Sequence, residues 1–163
     1  MPEETGATFY DNALAKARFA QSIQPGRFAI GEDSGLEVDW LGGVPGIRSA
    51  RYAGEDATDE ENVAKLLAAL AAVEGTDRGA HYVSELVVLG PDGSEARGTG
   101  TLEGSIATQP RGSGGFGYDP VFVPTGETRT VAELGDDWKR EHSHRAAAAR
   151  ALPAGVGEAP REM

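Results

Sequence analysis

Cysteine is absent from the 163-residue chain, which excludes disulfides, thiolate nucleophiles and thiolate metal sites. Lysine is scarce, with only Lys16, Lys65 and Lys139, so a lysine inside a motif stands out. No apolar run approaches the roughly 18 to 20 residues of a membrane span, and no signal-peptide pattern opens the chain. Positive charge is in deficit as well. A net charge of −11 and a pI near 4.7 exclude the broad basic surfaces that nucleic acid or an anionic membrane requires. An anionic ligand must therefore meet a local cationic pocket or a bound metal. Internal repeats and dividing linkers are missing too. The length then suggests one domain over residues 1–152 of a soluble, cytoplasmic protein, followed by a disordered tail at 153–163 rich in Pro, Gly and Glu.

What is present centres on residues 30–54, IGEDSGLEVDWLGGVPGIRSARYAG. An apolar lead-in at Phe28, Ala29 and Ile30 reads as a short strand running into an acidic tip, Glu32-Asp33-Ser34-Gly35. A second short strand, Leu36 to Trp40, leads to a Gly/Pro-rich turn and the basic pair Arg48 and Arg51. Carboxylates at the end of a buried strand are costly unless a cation, a metal or hydrogen bonds satisfy them. Gly35 is expected to let the backbone turn sharply behind the acid. A second tract, PRGSGGFGYDPVFVP (110–124), sets four glycines around Phe116, Tyr118 and Asp119. Glycines beside an aromatic and a carboxylate suit a backbone closing over a planar ligand. Each tract alone also fits an ordinary turn-rich connection.

Around these tracts the periodicity is regular. Thr8 caps a helix running to about Gln24 and stopped by Pro25-Gly26. Lys16 lies on that helix with Asn12 on the same side, as a ligand contact or as a solvated lysine. Thr58 to Glu61 reads as a capping box opening an amphipathic helix to about Val73. Residues 80–89 and 94–102 read as a hairpin through Pro91-Asp92-Gly93, extended by 104–108. His81 suits a sheet surface better than catalysis. Val121 to Val123 is a short strand. A final helix is expected from about Val131 to Leu152, broken near Gly135 to Asp137, with Lys139 to Arg145 either functional or a plain basic surface.

Four segments, EETGATFYDNALAKA (3–17), AIGEDSGLEVDWLGGVPGIRSARYAGEDAT (29–58), GSIATQPRGSGGFGYDPVFVP (104–124) and AEL…K…SHR (132–145), together resemble the house-cleaning inosine/xanthosine triphosphate pyrophosphatases. GFGYDP followed at this distance by SHR is the most specific part. The resemblance implies Mg²⁺-dependent hydrolysis of non-standard purine nucleoside triphosphates to monophosphate and pyrophosphate. It also implies an α/β fold, with a long twisted mixed sheet flanked by helices and two lobes around a nucleotide cleft, and a homodimer.

Roles follow by position. Glu4 and Asp33 correspond to carboxylates around Mg²⁺, and Asp33 to the acid that activates water. Glu32 stands where many relatives carry a second aspartate, and as a longer acid it is expected to reach the metal shell. Lys16 and Lys139 correspond to triphosphate contacts. Phe116 corresponds to the ring that stacks on the purine, in a loop with Gly117 and Tyr118. Asp119, His144 and Arg145 match residues around the base edge, and Ser34 and Gly35 help through the Asp33 loop. A typical member also carries, before the point matching Met1, a strand and a helix with a T/S-x-N-x-x-K signature. Without them, a sheet edge is expected to lie open and triphosphate binding to weaken. That leaves two other readings: a short paralogue acting on another nucleotide, and a non-catalytic nucleotide-binding subunit.

Overall fold

The computed structural model describes residues 4–153. The tail expected at 153–163 therefore lies, beyond Pro153, outside the described residues. Helix α1 (Phe9–Ile23) begins where Thr8 Oγ1 accepts the Asp11 amide at 3.1 Å, and it buries Ala13 and Ala17. Then follow strand β1 (Ala29–Val38), helix α2 (Asp59–Ala69) and the long hairpin of β2 (Gly79–Leu89) and β3 (Glu95–Ile106). Strand β4 (Phe122–Pro124) and helices α3 (Val131–Leu134), α4 (Asp136–His142) and α5 (His144–Ala151) complete the order. The four strands form one sheet in the order β1-β2-β3-β4. The α/β class is the one anticipated, but all three pairings are antiparallel instead of mixed.

Three further expectations change. The strand, acidic tip and strand expected over 28–40 are one continuous ten-residue strand, paired with β2 throughout. Gly35 consequently makes no turn. The final helix is three helices, broken at Gly135, whose φ of 90° suits glycine, and at Ser143, whose extended backbone caps α5 through a bond from the Ala146 amide. Helix α2 stops at Ala69, short of Val73.

Side chains on a strand alternate between faces, and this pleat organises the molecule. Gly31, Asp33 and Gly35 of β1, with Glu85 and Val87 of β2, face one side. Glu32, Ser34, Leu36 and Val38, with Ser84, Tyr82 and Ala80, face the other. The main core lies on the second face, where Leu36, Val38, Tyr82, Ile106 and Phe122 pack with Leu66 and Leu70 of the α2 segment. Helix α1 covers the first face with a smaller cluster that includes Ala13, Ala17, Val87 and Leu89.

Missing Cβ atoms seat a helix on each face. A Cβ at Gly31 would stand 1.9 Å from the Ala13 carbonyl oxygen of α1, and one at Gly100 would stand 2.1 Å from the His144 carbonyl oxygen of α5. At both places, helix backbone rests directly on strand backbone. Arg78, also buried, bonds four carbonyl oxygens: Ile106 at 2.7 Å, Leu70 at 2.8 Å, Val73 at 2.9 Å and Ala107 at 2.8 Å. Its charge thus meets the negative C-terminal end of α2, and its bonds join that end to the end of β3. No described helix is long and apolar enough to cross a membrane.

Gly100→Ala should push α5 off β3, because backbone atoms at that distance cannot yield as a flexible side chain would. The expected loss is about 3 kcal/mol in urea unfolding, at the upper end of overpacking costs. A loss under about 0.5 kcal/mol would contradict the seating of α5 described above.

Candidate active-site cleft

On the first face of the sheet, α1 delivers two side chains to the buried Asp33. Asn12 Nδ2 donates to Asp33 Oδ2 at 3.1 Å, and the Lys16 ammonium lies 3.4 Å from Oδ1. They stand one helical turn apart, so both reach the same carboxylate. Lys16 also pairs with Glu4 Oε1 at 2.6 Å and donates to the Glu32 carbonyl oxygen at 3.1 Å. Burial pushes the Asp33 carboxyl above its ordinary range, against the Lys16 charge and the Asn12 bond, and Glu4 adds to the rise. For Lys16, burial works against the charge, but the bond to Glu4 and the two carboxylate charges outweigh it and raise its pKa. Glu4, Lys16 and Asp33 thus form one compact group.

On the second face lies a cavity of about 220 Å³, lined by Ser34, Gly35, Leu36, Ser49, Tyr82, Phe116, Gly117, Tyr118, Asp119, Lys139, Ser143, His144 and Arg145, among others. The glycine tract builds one wall, with Gly115 (φ 74°) and Gly117 (φ 59°) in the left-handed region. The Gly117 amide donates to Asp59 Oδ2 at 2.8 Å, fastening the tract to the start of α2. Asp119 is buried and fully engaged: it accepts from Tyr82 Oη at 3.0 Å, from Lys139 Nζ at 2.7 Å and from the Phe116 amide at 3.1 Å. Phe116 is half exposed, with the Lys139 ammonium 4.1 Å and the Arg145 guanidinium 4.9 Å from its centroid.

Deeper in the cavity, the His144 ring stacks on Tyr82 at 4.6 Å, and its Nδ1 is buried without a hydrogen-bond partner among the described residues. Burial pushes His144 down to about 4, with help from the Arg145 charge and a smaller push from Lys139, while Asp119 opposes them. The ring is therefore neutral at neutral pH and presents an unsatisfied nitrogen. Burial and the Asp119 charge raise the Tyr82 hydroxyl well above its usual range, so it stays a donor.

Most residues singled out from sequence therefore come together, but in two groups. Ser34, Gly35, Phe116, Gly117, Tyr118, Asp119, Lys139, His144 and Arg145 line the cavity. Glu4, Lys16 and Asp33 stand across β1 from it, and β1 is the terminal strand of the sheet among the described residues. Lys139 sits with Asp119 and Phe116, not beside Lys16. Glu32 points to the cavity face, where it meets Arg145 and Ser84, and does not join Glu4 and Asp33. No three His, Cys, Asp or Glu side chains cluster as a ready metal cage among the described residues. Glu4 and Asp33 remain a suitable pair of hard oxygen donors, since Mg²⁺ is commonly held by one or two carboxylates completed by water and substrate phosphates. Two contributors escaped the sequence reading: Tyr82, which strand alternation marks only as inward, and Asp59, taken there for a helix-start residue alone.

The Ham1 family profile matches residues 1–154. The chain is 51% identical over 157 residues to a protein of Mycobacterium tuberculosis called "dITP/XTP pyrophosphatase", covering 94% of this chain and 76% of that one. It is 47% identical over 149 residues to a Bdellovibrio bacteriovorus protein of the same name, covering 91% and 75%. The solved structure of a HAM1 protein from Coxiella burnetii superposes with a TM-score of 0.83 at 42% identity, covering 91% of this chain and 76% of that one.

The His144 environment generates a pH test. With a pKa near 4 in the folded state and 6.5 unfolded, the unfolded chain binds the extra proton first as pH falls. Stability attached to neutral His144 is complete above pH 6.5 and is lost between there and about 4. Relative to His144→Gln, the wild type should lose about 2 kcal/mol of unfolding free energy between pH 7 and pH 5 in urea titrations. Parallel pH profiles for the two proteins would contradict the neutral buried ring.

Proposed function

The chain belongs to the Ham1 family, and on that basis we propose that it hydrolyses non-standard purine nucleoside triphosphates (ITP, dITP and XTP) to the monophosphate and pyrophosphate. The observation that carries this reading is the pairing of an aromatic, cation-rimmed cavity with the Glu4–Lys16–Asp33 group on either side of one edge strand. A nucleotide with its base against Phe116 would run its phosphates over β1 toward Asp33.

Within that reading each residue has a definite task. Phe116 offers the exposed ring on which a purine stacks. Arg145 donates to an acceptor on the base edge, and the unsatisfied Nδ1 of His144 lies in the same cavity. A 6-oxo purine supplies the acceptor oxygen that the 6-amino purine of ATP lacks. GTP differs instead by its 2-amino group, and buried polar groups left unpaired by either wrong edge give discrimination. Asp33, its carboxyl raised by burial and held by Asn12, accepts a proton from the attacking water at a carboxylate oxygen. Lys16 draws phosphate oxygens toward that carboxylate. Glu4 and Asp33 would hold Mg²⁺, which when bound neutralises phosphate oxygens and eases departure of pyrophosphate. The same reading assigns the protein to the cytoplasm, among the nucleotide pools, and to a homodimer.

The test is pyrophosphate release from ITP, XTP, ATP and GTP in the presence of Mg²⁺. ITP and XTP should be turned over at least about tenfold faster than ATP and GTP, and Asp33→Asn should lower kcat by about 100-fold or more. A folded protein that releases no pyrophosphate from any of the four would reject this function.

A further inference from the structure

We propose that Glu32 is a positioning residue for Arg145 on the base side of the cleft and is not a ligand of the metal. This rests on the activity proposed above. The residue straddles the two halves of the site: its carbonyl oxygen accepts from Lys16 at 3.1 Å, while its side chain leaves on the other face. There, Oε1 accepts from Arg145 Nε at 3.1 Å and from Ser84 Oγ at 3.3 Å. Arg145 Nη2 donates to Ser34 Oγ at 3.2 Å, so two successive cavity-face positions of β1 grip one guanidinium. Neither bond uses Nη1, which is left for a ligand. Arg145 lines the cavity and Glu32 does not, so the carboxylate stands behind the arginine and acts through it.

Arg145 needs such a partner. It lies in the first turn of α5, where the helix dipole is unfavourable to a cation. Its long side chain would otherwise sample many rotamers. A carboxylate at Nε fixes the plane of the fork, with the guanidinium carbon 4.9 Å from the Phe116 centroid and the side chain lining the cavity. Joining Glu4 and Asp33 would oblige Glu32 to release both Arg145 and Ser84 and to cross the edge of β1.

Two binding measurements decide the matter, using the full chain and without turnover. Mn²⁺ titrations, followed by electron paramagnetic resonance, should give Glu32→Gln an affinity within about twofold of the wild type, while Asp33→Asn loses tenfold or more. Inosine monophosphate titrations should show about tenfold weaker binding for Glu32→Gln and at least that for Arg145→Met, with the double variant no weaker than Arg145→Met alone. Non-additivity is the signature of one residue acting through the other, which a general loss of structure would not produce. Loss of Mn²⁺ affinity in Glu32→Gln to the level of Asp33→Asn would overturn the proposal. So would single-variant losses that multiply in the double. A wild type that binds Mn²⁺ but no inosine monophosphate would count against the proposed activity and against the base-positioning role together, and the Mn²⁺ result for Glu32→Gln would still decide whether Glu32 is a ligand.

Discussion

The buried carboxylate of Asp119 is the constraint on which the rest of the cleft depends. A charge taken out of water is tolerated only with full compensation, and three separate elements supply it: Tyr82 from β2, the Phe116 amide from the glycine tract and Lys139 from α4. Its own carbonyl accepts the Ala132 amide of α3, adding a fourth attachment. Tyr82, Phe116 and Lys139 are also walls of the cavity. The cost of leaving this carboxylate bare therefore fixes where the Phe116 ring stands, where Lys139 reaches, and which face of Tyr82 receives the His144 ring. Gly115 follows from the same constraint, because a Cβ there would fall 2.2 Å from Asp119 Oδ2.

A second constraint acts through β1. Successive side chains of a strand cannot share a face, so one short sequence, Glu32-Asp33-Ser34, serves two chemistries. Asp33 turns toward the helix that carries Asn12 and Lys16. Glu32 and Ser34 turn toward the helix that carries His144 and Arg145. Close seating of both helices, at Gly31 and Gly100, keeps those side chains within hydrogen-bond distance of the strand. Packing thereby sets the geometry of the site from both sides.

Much of this was legible in the sequence where the signals are local. Thr8 and Thr58 announce their helices because a capping hydroxyl acts within one turn, and both accept the expected amides. Asn12 and Lys16 at helical spacing do meet on one carboxylate. Pro91-Asp92-Gly93 gives the hairpin. What escaped was the use made of glycine. Gly35 behind an acidic pair reads as a turn signal, yet its φ is not positive, and like Gly31 it serves close approach of other backbone. The residue type admits both uses, and only the tertiary neighbour distinguishes them. Glu32 shows a related effect: adjacency to Asp33 in sequence means opposite faces in a strand, so the side chain that the resemblance set beside the metal lies here against Arg145.

The charges of the cleft bear on how an anion enters so acidic a protein. Its cations do not stand free: Lys16 is paired with Glu4 and Asp33, Lys139 with Asp119, and Arg145 with Glu32. Three cations against four carboxylates leave the ionised site at a net 3 − 4 = −1, inside a chain whose own charge is −11. Bare triphosphate would meet repulsion both at long range and at contact. In the proposed reading, a triphosphate bound with a divalent cation would bring less negative charge, and Glu4 and Asp33, now paired with Lys16, would be the carboxylates to hold that cation. The pairing of these three cations with carboxylates thus holds each in place before binding, and in the proposed reading it would favour an anion that brings positive charge of its own.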